Sequence, residues 1–326
     1  LEVEETTGAA TLSIPVDLPP GPNGLEPGLA IDYSSQDGNG LLGVGWSIAL
    51  PRIICSARYG VPDYADCGRF ELSGQPLVGP DTGGRFHTFE ESFSRIVRHG
   101  ASDVWSVTSP DGLEMRFGET VNARILGPGG VAEWGLSAIE DVFGNRVDFE
   151  YATLAHGDEG ILQLERIRYA SDTRTIRFVY EPRPDAIRSY HGGVRRAASE
   201  RLREIRVYVG PNLHHRLLLR YETAVSTTQS RLVSIQRFGS DCDPHAFPDP
   251  TPARCSALPA ASFEYGDSAA FTRHERWEAT GLPEVGGWTP PWYAPELADF
   301  GTGSLFARGQ TTQFADIDGD GLPDLV

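Results

Sequence analysis

Four times between residues 136 and 265 the sequence takes a Leu-x-x-Ile step and then, beyond a turn or loop, runs a strand that closes on a tyrosine. The steps are Leu136/Ile139, Leu164/Ile167, Leu202/Ile205 and Leu232/Ile235, and the closing residues are Tyr151, Tyr180, Tyr221 and Tyr265. Successive steps lie 28, 38 and 30 residues apart. So irregular a period fits hairpins of one design joined by loops of variable length. A single hairpin cannot bury its apolar face, so neighbours must stack edge to edge into one long antiparallel sheet. This feature predicts an all-β chain with a large curved sheet of stacked hairpins.

The rest of the chain agrees with that expectation. "TLSIPVDL", "LAIDYSS", "DVWSVTS", "LEMRFGE" and "RLLLRYE" alternate or are rich in β-branched and aromatic residues, and turn sequences such as "SPDG" at Ser109–Gly112 separate the runs. Only Arg195–Glu204, "RRAASERLRE", offers a helical window, and its second half reads equally well as the start of a strand. No stretch has the length and apolarity of a membrane-spanning helix. All 28 basic residues are arginine, and 45 acidic residues give a net charge of -17, which argues against a nucleic-acid partner. The chain starts at Leu1, so a processed chain or a piece of a longer one is expected.

The four cysteines form two local pairs, Cys55 with Cys67 and Cys242 with Cys255, each bracketing a loop rich in Pro, Asp or Gly. Neither spacing is that of a zinc knuckle. Two short-loop disulfides are expected, and with them an oxidising compartment; four thiols in a reducing one are the alternative. Gly38, Gly40 and Gly43 spell G-x-G-x-x-G, but "VGWSIALPRII" follows where a dinucleotide site needs a helix. A tight turn between two strands, anchored by Trp46, is expected instead. His214 and His215 should point to opposite faces of a strand and so fail to share a metal. No nucleophile elbow or zinc-protease motif occurs. Nothing selects a catalytic pair from the many carboxylates.

The last residues, "FADIDGDGLPDLV", set Asp316, Asp318, Asp320, the carbonyl of Leu322 and Asp324 at alternate positions, the spacing with which a tight loop wraps a hard cation. Calcium is the expected occupant. An EF-hand would require a glutamate at residue 327, beyond the chain, and the flanking "FA" and "LV" read as strand ends. A β-propeller-type loop is therefore expected, with a weak or incomplete site because the remainder of a blade is not in this sequence.

Two stretches carry a family resemblance. Gly8 to Cys55, "GAATLSIPVDLPPGPNGLEPGLAIDYSSQDGNGLLGVGWSIALPRIIC", resembles the opening of the SpvB/TcaC N-terminal domain found in Tc insecticidal toxin B components and Rhs/YD-repeat proteins. "QTTQFADIDGDGLPDLV" resembles the first FG-GAP (VCBS-type) repeat that follows that domain. The resemblance implies an SpvB-like scaffold over residues 1–285, a Gly/Pro/Trp-rich linker over 286–309, and the truncated start of a propeller repeat over 310–326. It implies an Rhs-shell-like wall, with no enzymatic role of its own, that helps enclose a toxic C-terminal cargo. Its partners would be the downstream portion of the same polypeptide and a toxin-complex component docked through the propeller. Secretion is expected, with the protein held in the cytoplasm before release. Tyr33, Trp46 and the four repeat tyrosines are the expected structural anchors. The alternative from another class is a calcium-stabilised extracellular adhesion or carbohydrate-binding module, with Trp288, Trp292 and Tyr293 as a sugar-stacking platform.

Overall fold

The computed structural model describes residues 2–4, 7–155 and 157–266, together with the backbone of two short strands near the C-terminus. The chain divides into two units, Leu1–Ala270 and Phe271–Val326. In the second, Phe314–Ala315 and Asp324–Leu325 pair antiparallel, Phe314 opposite Leu325 and Ala315 opposite Asp324.

The first unit is built of strands, with 3₁₀ turns at Pro22–Gly24 and Val121–Ala123 and no α-helix among the described residues. Its opening forms a four-stranded sheet of β1 (Glu2–Val3), β2 (Ala10–Pro15), β3 (Ala30–Ser34) and β6 (Trp46–Ser47), with a small hairpin of β4 (Asn39–Gly40) and β5 (Gly43–Val44) set into the last connection. There follow β7 (Arg52–Cys55), β8 (Phe70–Leu72), β9 (Gln75–Val78), β10 (Arg85–Thr88), β11 (Arg95–His99), β12 (Val104–Thr108), β13 (Glu114–Phe117), β14 (Arg124–Gly127) and β15 (Gly130–Glu140). The hairpin region comprises β16 (Arg146–Tyr151), β17 (Leu164–Tyr169), β18 (Arg174–His191), β19 (Val194–Val209), β20 (Asn212–Thr223), β21 (Ser230–Phe238) and β22 (Ala261–Ser262).

Strand β15 organises the unit. Its first half pairs with β7 through Glu133↔Ile54, Trp134↔Ile53 and Gly135↔Arg52, and its second half pairs on the other side with β13 through Met115↔Ile139 and Glu114↔Glu140. Strands β7 to β13 are linked in sequence order, so β15 closes them into an eight-stranded barrel. The same strand pairs through Ala138–Glu140 with β16, where the meander β16 to β22 departs. A strand shared in this way is covered on both faces, and Ala132 to Ala138 are accordingly all buried.

Register places Phe70, Phe86, Ile96, Trp105, Phe117 and Trp134 on one face of the closing sheet, where Trp105 and Trp134 are fully buried with ring centroids 6.0 Å apart. Arg98 lies over the rings of Phe70 and Trp134 at 5.1 and 5.2 Å and is held by Asp103 at 2.8 Å. The meander has an apolar face that includes Phe149, Ile167, Ile176, Phe178 and Ile205, which joins the barrel and the opening sheet in one core. On its other face Arg146, Arg166, Arg168 and Arg206 pair with Asp148, Glu150 and Glu204. The window Arg195–Glu204 lies wholly within strand β19, because its apolar positions can be buried only by pairing with β18.

Candidate functional site: a tyrosine ladder and its clasp

The Leu-x-x-Ile step has a geometric cause. In a regular strand, residues three apart face opposite sides, yet Leu164 and Ile167, Leu202 and Ile205, and Leu232 and Ile235 are all buried in the same core. Each leucine is followed by a β-bulge. Glu150 pairs with Arg166 but Tyr151 with Leu164, Val179 with Glu204 but Tyr180 with Leu202, and Arg220 with Ser234 but Tyr221 with Leu232. The extra residues are Glu165, Arg203 and Val233. Phe117 opposite Leu136, with Ser137 extra, is a fourth case. Inserting one residue restores the leucine and the isoleucine to one face and bends the sheet at the same level of every hairpin.

The tyrosines fix these bulges. The hydroxyl of Tyr151 donates to the Leu136 carbonyl at 2.9 Å, Tyr180 to Leu164 at 2.8 Å, Tyr221 to Leu202 at 2.5 Å and Tyr265 to Leu232 at 2.7 Å. Each of the first three tyrosines therefore bonds the leucine of its own repeat while pairing in register with the leucine of the next. The result is a ladder crossing the meander from β15 to the residues after β22. Burial raises the pKa of Tyr151, Tyr180 and Tyr221 far above the ordinary phenol value, so all three are protonated donors at any physiological pH.

The opening motif clasps the far end of the ladder. Trp46, 2% exposed, donates its indole N–H to the Tyr265 hydroxyl at 2.8 Å and packs against Tyr33 and Phe263, with centroids 5.1 and 4.6 Å away. The G-x-G-x-x-G stretch supplies the tight turn joining β4 and β5, and Gly43 (φ +88°) lies so close to β21 that a Cβ there would stand 2.6 Å from the Ser230 carbonyl oxygen. Sequence reasoning missed the charged partner of this clasp. Arg183, whose side chain is fully buried, donates to the Gly40 carbonyl, the Asn39 side chain and Asp185, and Asp185 also accepts from Asn39 and from the N–H of Ser230. Burial alone would raise the Asp185 carboxyl, but hydrogen bonds from Arg183, Ser230 and Asn39 outweigh it and hold the pKa far below the usual carboxylate range. In "EPRPD" the two charges flank Pro184, and no local pattern marks them as buried.

Cys55 is bonded to Cys67 and Cys242 to Cys255, with Cα separations of 5.4 and 5.2 Å. Within the first loop, Tyr64 donates to the Gly192 carbonyl at the tip of the β18–β19 hairpin. The second loop covers Leu218 and Phe238 on the outer face and takes in the buried Arg216, which pairs with Glu204 at 3.2 Å and donates to the Phe247 carbonyl. The expectation that the His214 and His215 side chains diverge is not met. A bulge between Val207 and Tyr208 shifts the register at this pair, and the two Nδ1 atoms stand 2.8 Å apart. Burial, Arg237 and His214 lower the His215 pKa to about 4. No cluster of three metal-ligating residues occurs among the described residues. Asp316, Asp318, Asp320 and Leu322 lie outside the described residues, as do Trp288, Trp292 and Tyr293, and Asp324 is described only as a strand position.

Residues 4–83 match the family profile described as Salmonella virulence plasmid 65kDa B protein. The chain is 29% identical over 150 residues to the mono(ADP-ribosyl)transferase SpvB of Salmonella choleraesuis (strain SC-B67), an alignment covering 37% of this chain and 25% of that protein. It spans about a quarter of the length of that relative. Among solved structures, it is similar to the N-terminal domain of effector protein SpvB from Salmonella typhimurium strain LT2, with a TM-score of 0.60, 22% identity, and coverage of 69% of this chain and 98% of that domain. It is also similar to TcdB2-TccC3 in the TcdB2-TccC3-Cdc42 crystal structure, with a TM-score of 0.67, 23% identity, and coverage of 98% of this chain and 18% of the other. The likeness to SpvB is thus to its N-terminal domain. Residues 4–83 thus match the SpvB family profile, and the chain shares the all-β fold of the SpvB N-terminal domain.

Proposed function

We propose that this chain is a structural, non-enzymatic domain of a secreted toxin-complex protein, forming part of a shell wall that encloses a toxic C-terminal cargo. The observation that supports this best is the tyrosine ladder. It fixes one bulge per hairpin at a constant level, so the meander bends by repetition of one local device. The likeness to TcdB2-TccC3 favours the toxin-complex reading over an adhesion module. The two disulfides fit an oxidising destination, in keeping with secretion. The Asp316–Asp324 spacing is proposed to hold calcium once the rest of a propeller blade is present, and that propeller to dock the shell on its partner. Micromolar calcium binding to the 326-residue chain alone, measured by titration calorimetry, would refute the need for the blade.

The enclosure reading is tested by limited proteolysis of the natural polypeptide that carries this domain. The C-terminal portion should be protected in the intact protein and digested when the ladder is opened by combined Tyr151→Phe and Tyr221→Phe substitutions. Equal digestion in both proteins would exclude enclosure by this wall. The non-enzymatic reading predicts that the chain consumes no NAD, and turnover by the isolated chain would refute it.

A further inference from the structure

Between the opening motif and the sheet lies a chamber of about 320 Å³, at the lower end of the range for small-molecule sites. Leu41, Leu42, Ile48 and Leu50 line it from the opening motif, and Leu162 and Ile187 from the hairpin region. Its walls also include Arg52, Glu133, Ser189 and Arg196, and these same four residues line a second recess of about 220 Å³ together with Tyr190 and His191. The chamber and the recess thus share one polar wall, which faces the aliphatic lining of the chamber.

The charge at that wall is unbalanced. Glu133, 2% exposed, accepts from Arg52 at 3.3 Å on one oxygen and from Arg196 at 2.8 Å on the other. Two guanidinium groups against one carboxylate leave a net positive charge, in a chain whose total is -17. The Nε of Arg196 is buried and reaches no acceptor, and a buried donor in that condition favours an anionic ligand. Arg52 keeps half of its side chain in solvent, so N–H groups not used by Glu133 remain accessible.

We propose that this chamber binds an aliphatic monocarboxylate of medium chain length, with its carboxylate on the N–H groups of Arg52 and Arg196 that Glu133 does not use and its chain against Leu41, Leu42, Leu162 and Ile187. The single surplus charge matches a monoanion, and the aliphatic side chains of Leu41, Leu42, Leu162 and Ile187 suit a hydrocarbon chain. The site is independent of the shell reading, because it needs only residues of the first unit.

Titration calorimetry on the 326-residue chain with decanoate and, separately, decanol tests the proposal. Decanoate should bind one molecule per chain and decanol about tenfold more weakly, the difference expected for a charge-assisted hydrogen bond. Arg196→Gln should weaken decanoate by a similar factor and leave decanol unchanged. Arg52→Gln, at a half-exposed position, carries the same expectation should the first variant fail to fold. Leu162→Trp, which fills the chamber, should abolish both. The proposal is overturned if decanoate does not bind, if decanol binds as tightly, or if folded arginine variants bind decanoate as the parent does.

Discussion

Replacing Tyr151 by phenylalanine removes one oxygen atom and tests the ladder directly. The ring stays in place, so no cavity forms, and what is lost is the 2.9 Å bond from a buried hydroxyl to the Leu136 carbonyl. A net hydrogen bond contributes about 0.5–1.5 kcal/mol, and a buried acceptor left without its donor costs about 1–3 kcal/mol. The expected loss is therefore about 1–2 kcal/mol. Tyr265→Phe should cost more, about 2–3 kcal/mol, because its hydroxyl both donates to Leu232 and accepts from Trp46, so two buried groups are orphaned. Tyr190, 72% exposed, serves as the control and should change stability by less than about 0.5 kcal/mol. Urea denaturation followed by far-ultraviolet circular dichroism gives the three midpoints, compared at constant slope. The predicted order of loss is Tyr265, then Tyr151, then Tyr190. If Tyr151→Phe and Tyr190→Phe are indistinguishable, the hydroxyls do not fix the bulges and the reasoning fails.

Burial raises the phenol pKa of Tyr151, Tyr180 and Tyr221, and that of Tyr169 to about 12, so their contribution is complete below the unfolded value of about 10 and is lost as pH rises toward the folded values. Unfolding should then coincide with a cooperative step in phenolate absorbance, and gradual ionisation before unfolding would contradict the burial. Asp185→Asn leaves the fully buried Arg183 without its counter-charge and should cost about 3–5 kcal/mol, read as a shifted urea midpoint. Since the Asp185 pKa is depressed on folding, its contribution is present above the unfolded carboxylate value and is lost as pH drops from there through the lower folded value, so the parent should lose its advantage over the variant in strong acid. Gly43→Val should detach the opening motif, since its side chain would collide with the Ser230 backbone; increased quenching of Trp46 by acrylamide would report it. Serine at both Cys242 and Cys255 should lower stability by about 2–4 kcal/mol and expose the second loop to protease, and resistance equal to the parent would show that the Arg216–Glu204 pair suffices.

The hairpin repeat alone determined the fold class of this protein. Alternation of apolar residues, the recurrence of Leu-x-x-Ile and a strand ending in tyrosine are local patterns, and a chain bearing them has few ways to bury its apolar face other than a long antiparallel sheet. The glycine turn at residues 38–43 was legible for the same reason, since backbone freedom is a property of the residue itself. Sequence reasoning for the two histidines failed because a bulge is an accident of pairing, invisible without the partner strand. Only the tertiary structure decided that each tyrosine bonds the leucine of its own repeat, that β15 closes a barrel while starting a meander, and that Arg183 and Asp185 are buried by residues 39–40 and 230. Those contacts join positions up to 146 apart in the chain. Local propensity acts over a few residues, whereas the partner of a buried hydroxyl or charge is chosen by which strands become neighbours once the apolar faces have been buried together.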